Sequence, residues 1–409
     1  MASSHKLKIL NDPIYGFITI PSERIFNIIE HPYFQRLRRI SQMGMSFLVY
    51  PGAHHTRFHH AIGCVHLMQK AVQVLRYKGV EISEAEEEAL QIAILLHDIG
   101  HGPFSHAMEH SIVEGIDHER ISLLFMEEMN KEFNQNLTLA LQIFKGNYKR
   151  RFLYQLITSQ LDMDRLDYLK RDSFYTGVAE GNINSQRLIT MLNVVDDNLV
   201  IEEKGIYSVE KFLVARRLMY WQVYLHKTSL VAEQLIIRVL KRAKELVAGG
   251  VKLPCSSALA YFLDNKIGPS NFTHKTLGIF ARLDDYDIIS AMKDWQYEED
   301  YVLSNLCRMI INRDLLKVKI KKKKPSREKL QKRLLELQQR MGISEKEAGY
   351  FVFSGEVTNT AYKSENDNIN ILHKNGKISD VAKTSDQLNL KALSKTVVKY
   401  YICYPKPKN

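Results

Sequence analysis

The sequence predicts a mainly α-helical protein that carries a small α+β domain at its C-terminal end. Two observations favour helices: apolar residues recur every three or four positions over 62–75, and residues 208–247 contain neither glycine nor proline. Beyond residue 341, short β-branched and aromatic segments alternate with polar turns, as in small sheets. We therefore expect three parts, which are a helical domain over 1–315, a basic linker and helix over 316–340, and the α+β domain over 341–409.

The N-terminal residues are expected to form a hairpin that is followed by two long helices. Residues 7–20 alternate loosely between polar and apolar and contain turn residues, which is typical of a short hairpin. One helix is predicted over about 60–77 and a second over about 84–99, where Ser83 and Glu86 have the spacing of a capping box.

Periodicity and turn signals predict the remaining elements. Residues 152–172 and 208–247 are expected to be helices, and a charged helix is predicted over 326–341, after a basic run. The short apolar segments of the C-terminal part are predicted strands, and they span 350–357, 368–373 and 396–404.

The composition is that of a globular protein, with 45% hydrophobic and 25% charged residues. No apolar run approaches the roughly 18 residues that cross a bilayer, and the first ten residues lack the apolar centre of a secretory signal. We therefore expect a cytoplasmic protein with no membrane partner. The four cysteines are far apart and form no CxxC pair, so neither a disulfide framework nor a cysteine zinc site is predicted.

The formal net charge of +11 favours polyanionic partners, although charge alone does not choose among nucleotides, nucleic acid and an anionic surface. Much of this charge lies in the run 317–333. A solvated linker accounts for the four lysines at 321–324 most simply. Nucleic-acid binding is the weaker alternative, and it would be electrostatic and sensitive to salt because the run contains no aromatic residue.

The adjacent pair His97 and Asp98 is a candidate half of a metal site. It follows the apolar run 92–96, so it is expected at the end of a buried helix. An imidazole and a carboxylate together suit iron, manganese or zinc better than calcium. A single His-Asp doublet is better explained as a buried structural pair. The site therefore requires further ligands from other helices, and candidates occur before residue 60 and near residue 164.

Three motifs in fixed order resemble those of the HD-domain phosphohydrolases. They are RFHH at 57–60, HDIGHGPFSH at 97–106 and DMDRLDY at 162–168. The series is most similar to the deoxynucleoside triphosphate triphosphohydrolases of that superfamily, over about residues 8–246. The resemblance implies an HD-domain helical bundle and four metal ligands, which are His60, His97, Asp98 and Asp164. It makes His59 a helix-entry residue rather than a ligand.

The resemblance also implies roles in phosphate chemistry. His118 would be the general acid that protonates the leaving oxygen, and Glu109 its acidic partner. His101 and His106 would contact phosphates. Fixed positive charge near the α-phosphate would come from Arg57 and Arg165.

Substrate contacts follow from the same resemblance. Gln42 and Asp172 would bind the sugar 3′-hydroxyl, and Tyr168 would leave no room for a 2′-hydroxyl. Phosphate and sugar contacts in the predicted helix 208–247 would come from Arg216 and Tyr224. Helix-packing aromatics are the alternative interpretation of the two tyrosines.

Two N-terminal stretches resemble the positions that build an activating nucleotide site between subunits in part of the family. The corresponding residues here are Lys8, Asn11, Glu30, Gln35 and Arg38. The resemblance therefore implies a nucleotide effector and a homo-oligomer, either a dimer or a tetramer. Stabilisation of the fold or of a subunit contact is the alternative interpretation.

The predicted function is metal-dependent hydrolysis of a deoxynucleoside triphosphate (dNTP) to a deoxynucleoside and tripolyphosphate, by attack of water at the α-phosphate. The resemblance implies a divalent cation, either iron, manganese, magnesium or zinc, and a second magnesium with the substrate phosphates. One alternative is an HD phosphomonoesterase or phosphodiesterase that acts on nucleotides. Another is an inactive HD scaffold that binds nucleic acid.

Overall fold

The computed structural model describes residues 8–104, 108, 111, 113, 115–362, 368–385 and 394–406. The α-helices of this part are α1 Glu23–Glu30, α2 Pro32–Gln35, α3 Arg57–Tyr77, α4 Glu84–Leu96, α5 His118–Glu132, α6 Thr138–Phe144, α7 Arg151–Ile157, α8 Met163–Thr176, α9 Ser185–Thr190, α10 Ile206–Met219, α11 Lys227–Ala248, α12 Ser257–Asp264, α13 His274–Phe280, α14 Asp285–Trp295, α15 Tyr301–Ile311, α16 Arg327–Met341, α17 Glu345–Phe351 and α18 Val381–Thr384. The strands are β1 Ile9–Asp12, β2 Gly16–Thr19, β3 Leu192–Val195, β4 Asn198–Glu202, β5 Lys317–Lys321, β6 Phe353–Asn359, β7 Asn370–Leu372, β8 Ile378–Asp380 and β9 Val397–Tyr404. The mainly helical class is confirmed.

The N-terminal hairpin is formed by β1 and β2, which pair antiparallel with Ile9 opposite Thr19. The Asp12 carboxylate accepts hydrogen bonds from the backbone N–H groups of Ile14 (2.9 Å) and Tyr15 (3.0 Å), and this closes the turn. Gly16 follows with a φ of +74°, a value that glycine adopts readily. The predicted hairpin is therefore confirmed.

Helices α3, α4 and α8 form the centre of the bundle, where α3 packs against both of the others. The capping box of Ser83 and Glu86 begins α4 as predicted, whereas the helix ends at Leu96, three residues before its predicted end. The following loop is fixed to α5, since Gly100 donates its N–H to Ser122 Oγ (2.9 Å) and Ser122 Oγ donates to the carbonyl of His97 (2.8 Å). A Cβ on Gly100 would lie 2.2 Å from the His118 carbonyl oxygen, so this contact requires glycine.

The continuous helix predicted over 152–172 is wrong, because the chain forms α7 and α8 with a break between them. The buried carboxylate of Asp162 accepts from the N–H groups of Ser159 (2.9 Å) and Arg165 (2.8 Å), so it caps a new helix. The helix predicted over 208–247 is also interrupted, by a π-turn at Tyr220–Tyr224. Such breaks reset the direction in which the following side chains point.

The C-terminal strands belong to two sheets. One is antiparallel, with the order β5-β9-β6, and the other has the order β3-β4-β7-β8, in which β4 and β7 are parallel. Strand β8 was not predicted from the sequence, and neither were β3, β4 and β5. Strand β4 pairs with β7, and β5 pairs with β9, so strand pairing crosses the predicted domain boundaries at 315 and 340. The boundaries themselves remain predictions.

A continuous cluster of buried apolar side chains extends from Ile18 in β2 to Tyr404 in β9. It includes nearly all of the apolar run that precedes His97. Among the helices of the described residues, none combines the length and the apolar character that crossing a membrane requires.

Candidate active site

The four predicted metal ligands lie together at the centre of the bundle. His60 comes from α3, His97 and Asp98 from the end of α4, and Asp164 from the first turn of α8. The Asp164 carboxylate lies 3.1 Å from His60 Nε2 and 3.6 Å from His97 Nε2. His97 Nε2 lies 3.5 Å from the Asp98 carboxylate and 3.4 Å from His60 Nε2. One cation could therefore contact all four side chains.

The Nε2 atoms of the two histidines face each other and the Asp164 carboxylate. His97 Nδ1 is 2.6 Å from the carbonyl oxygen of Ile94, and His60 Nδ1 is 2.8 Å from the Asp167 carboxylate. A carbonyl and a carboxylate only accept, so each Nδ1 must donate a proton to its partner. In the neutral imidazoles the Nε2 lone pairs then face each other. This arrangement fits a metal ion, which binds the neutral form of histidine.

The charged groups around the ligands alternate in sign. The contacting groups comprise five carboxylates and three guanidiniums in a largely buried region, and they are Asp12, Asp98, Asp162, Asp164, Asp167, Arg57, Arg165 and Arg171. Burial opposes protonation of His60 and His97, but the neighbouring acidic groups raise the pKa of both imidazoles. A divalent cation could replace those protons and balance the same carboxylates.

Arg57, His101 and His118 surround Asp98. The Arg57 guanidinium forms an ion pair with the Asp98 carboxylate, and His101 Nε2 lies 3.4 Å from the same group. Burial opposes ionisation of Asp98, but His97, Arg57 and His101 together hold its pKa well below its usual range. Burial and the nearby Arg57 lower the pKa of His101 to about 3, so its imidazole is neutral at pH 7.

His118, the first residue of α5, stacks its ring on that of His101 with the centroids 3.9 Å apart. The structure thus brings the predicted general acid next to the predicted metal site. The two other residues predicted for this part of the site, His106 and Glu109, lie outside the described residues.

Two arginines supply positive charge on the α8 side of the site. Arg165 pairs with the Asp162 carboxylate and lies 3.9 Å from that of Asp164. Burial raises the pKa of Asp162 to about 6 despite this guanidinium. Arg216 in α10 is only 9% exposed, and its Nε and Nη1 have no hydrogen-bond partner among the described residues. Its charge acts on Tyr168, which places it beside α8.

Three of the residues predicted to bind the sugar, Gln42, Asp172 and Tyr224, belong to one hydrogen-bonded group with His55. Asp172 accepts from the Tyr224 hydroxyl at 2.6 Å, and its other oxygen lies 2.7 Å from His55 Nε2. Gln42 donates its backbone N–H to the His55 carbonyl at 3.0 Å. The rings of Tyr168 and Tyr224 meet edge to face with centroids 6.0 Å apart.

The sequence analysis missed several residues of the site. Asp167 and Arg171 stand three and seven residues after Asp164 on α8, so a test for helical spacing could have found them. Tyr220 contacts Tyr224 with centroids 5.4 Å apart. His55 carried no signal in the sequence, because only folding places it against Asp172.

His59 and the predicted effector residues make local contacts. Thr56 donates its N–H to His59 Nδ1 at 3.2 Å, so His59 closes the first turn of α3. Arg38 lies 3.5 Å above the Phe58 ring and donates to Gln35 Oε1 at 2.9 Å. The ammonium of Lys8 lies above the Phe26 ring in α1. Asn11 and Glu30 are exposed.

Comparison with known proteins gives two family matches. The HD domain matches residues 57–172, and the HD associated region matches residues 183–252. The first match contains all four predicted metal ligands, and the second contains Arg216 and Tyr224.

Individual proteins are similar over more of the chain. An uncharacterised protein of Bacillus subtilis is 35% identical over 75% of this chain and 71% of its own length. The human deoxynucleoside triphosphate triphosphohydrolase SAMHD1 is 29% identical over 62% of this chain, which spans about half of that protein, 48%. A crystal structure of a phosphohydrolase from Bacteroides thetaiotaomicron is 53% identical, with a TM-score of 0.95 over 98% of this chain and 100% of that one.

Proposed function

Because this chain belongs to the HD-domain superfamily of phosphohydrolases and is close to its dNTP triphosphohydrolases, we propose that it converts a dNTP to a deoxynucleoside and tripolyphosphate. Water attacks the α-phosphorus, the bond from phosphorus to the 5′-oxygen breaks, and the 5′-oxygen leaves with a proton. Together the two products contain all the atoms of the dNTP and of one water molecule.

Arg216 is the observation that carries the proposal. Arg216 is 9% exposed, and its Nε and Nη1 have no hydrogen-bond partner among the described residues, so these nitrogens can donate to a bound ligand. Phosphate oxygens match the planar guanidinium fork. Arg165 lies on the same side of the metal ligands, so an anion between them would extend from the predicted cation to Arg216.

His60, His97, Asp98 and Asp164 would hold a divalent cation, which supplies positive charge to a phosphate oxygen and lowers the pKa of coordinated water. The protein side chains provide the rest. Arg57 and Arg165 keep fixed positive charge near the phosphates. His118 donates the proton that the 5′-oxygen needs, a contribution of about 10²- to 10⁴-fold.

Deoxyribose recognition is assigned to the group around Asp172. Tyr224 and His55 hold its two oxygens, so the carboxylate is oriented before a 3′-hydroxyl arrives. In this proposal the Tyr168 ring occupies the space that a 2′-hydroxyl would need. Ribonucleoside triphosphates would therefore be poorer substrates.

The test is incubation of the purified protein with a panel of dNTPs and NTPs and several divalent metals, with products identified by mass. Tripolyphosphate and a deoxynucleoside support the proposal. Intact dNTPs under every condition would overturn it. Orthophosphate released from a monophosphate, or opening of a cyclic nucleotide, would instead favour the phosphomonoesterase or phosphodiesterase alternative.

The same panel tests the remaining predictions about partners. Repeating it with and without GTP or dATP tests the effector site at Lys8, Asn11, Glu30, Gln35 and Arg38. Light scattering of the same samples tests the predicted dimer or tetramer. Tight, salt-sensitive nucleic-acid binding without turnover would favour the inactive scaffold.

A further inference from the structure

A buried chain of charged groups connects the N-terminal hairpin to the metal-ligand cluster. Asp12 in β1 accepts from Arg171 Nη1 at 2.7 Å. Arg171 donates from Nε and Nη2 to the two oxygens of Asp167, at 2.8 and 2.9 Å. Asp167 in turn accepts from His60 Nδ1 at 2.8 Å. Three consecutive contacts thus lead from a hairpin turn to a predicted ligand.

These four charged groups are shielded from solvent. The side chains of His60, Asp167 and Arg171 are fully buried, and that of Asp12 is 4% exposed. The Tyr15 ring lies 5.6 Å from the Arg171 guanidinium and covers it. Electrostatic contacts are strong in such surroundings because little water screens them.

The backbone of α3 is built to admit this ion pair. A Cβ on Gly63 would lie 2.1 Å from Asp167 Oδ1 and 2.2 Å from Arg171 Nη2. Both atoms are held by hydrogen bonds and cannot easily withdraw. Glycine in the middle of a long helix costs about 1 kcal/mol relative to alanine, and here it allows the close approach.

Each of these hydrogen-bonded side chains restricts the position of the next one. Arg171 donates to both oxygens of Asp167, which fixes the position of the carboxylate. Because this carboxylate accepts from His60 Nδ1, His60 Nε2 faces the cluster. The other oxygen of Asp12 closes the hairpin turn, and the turn therefore fixes where Arg171 is held.

We infer that Asp167, Arg171 and Asp12 are positioning residues for His60, and that the hairpin β1–β2 is a structural part of the metal centre. The inference rests on the proposed role of His60 as a ligand. Loss of the Asp167 charge should weaken metal binding by about 10- to 100-fold. Loss of the Asp12 charge acts through one more residue and should weaken it by about 2- to 30-fold.

The experiment measures Co²⁺ binding to the full-length, metal-free protein without nucleotide, by titration and by the visible absorption spectrum. The variants are Asp167→Asn and Asp12→Asn. We expect both to weaken Co²⁺ binding, with the larger effect for Asp167→Asn, and to change the spectrum because the His60 ring is less well oriented. Circular dichroism checks that each variant is folded.

Asp300→Asn is the matched control. Asp300 also forms a two-point ion pair with an arginine, at 3.1 Å from Arg242 Nε and 2.5 Å from Arg242 Nη2, but between α11 and α15. It should lower the unfolding temperature and leave the Co²⁺ affinity and spectrum unchanged, which separates positioning from general stability.

If Asp167→Asn and Asp12→Asn both keep the wild-type Co²⁺ affinity and absorption spectrum, the inference is overturned. If Asp167→Asn does not fold, Asp12→Asn alone decides, since its side chain lies nearer the surface and keeps the turn-closing oxygen. Intact dNTPs combined with weakened Co²⁺ binding would leave the positioning role standing and refute only the proposed substrate.

Discussion

Replacing Gly63 with alanine tests whether the ion pair of Asp167 and Arg171 is the rigid centre of this fold. The added Cβ would overlap an oxygen of Asp167 and a nitrogen of Arg171, at 2.1 and 2.2 Å. Neither atom is the free end of a flexible side chain, because each takes part in the paired hydrogen bonds between the two residues. The helix or the ion pair must therefore shift.

The expected loss of stability combines three contributions. Overpacking a close-packed interior costs about 1–3 kcal/mol, and disrupting a buried ion pair costs about 3–5 kcal/mol. Alanine returns about 1 kcal/mol of helix propensity. The net destabilisation is then about 3–7 kcal/mol, which corresponds to a fall of at least about 4 °C in the unfolding temperature.

Thermal unfolding followed by circular dichroism, in EDTA and with added metal, measures this change. Gly278→Ala is the control, because that glycine lies within α13 and a Cβ there has no described atom within 4 Å. It should leave stability unchanged or raise it by up to about 1 kcal/mol. Equal unfolding temperatures for Gly63→Ala and the wild type would refute the reasoning.

Three further substitutions and one removal test the site. His118→Ala should lower dNTP turnover by about 10²- to 10⁴-fold with unchanged Co²⁺ affinity, and full activity would show that another group protonates the 5′-oxygen. Arg216→Met should lower kcat/KM by about 10²-fold while raising the unfolding temperature of the ligand-free protein, because unpartnered buried donors disappear. Tyr224→Phe, which loses the hydrogen bond to Asp172, should lower kcat/KM for dNTPs by about tenfold in steady-state assays. Metal removal by EDTA should lower the unfolding temperature, and an unchanged temperature would argue against a bound cation.

The helical fold could be predicted because its signals are local. Ser83 and Glu86 form the expected capping box, and the apolar run before His97 is buried. Breaks in helices were harder to predict. Asp162 begins α8 because its carboxylate accepts from two backbone N–H groups, and a polar residue within an amphipathic pattern gives no sign of this in the sequence.

The candidate site likewise contains residues that could be predicted from the sequence and residues that could not. The order of its motifs predicted His60, His97, Asp98 and Asp164, and the structure brings both carboxylates within 4 Å of the two histidines. It did not predict His55, whose role depends on a contact 117 residues away along the chain. Long-range partners of this kind leave no periodic trace in the sequence.

The sequence by itself determined which residue types are available: helix-forming stretches, an ordered set of imidazoles and carboxylates, and a glycine at position 63. Only the tertiary structure decided how they act together. It placed Arg171 between Asp12 and Asp167, and it placed His60 so that Nδ1 contacts Asp167 while Nε2 faces the other predicted ligands. The physical reason is that charge interactions depend on separation in space and on burial, and folding alone sets both.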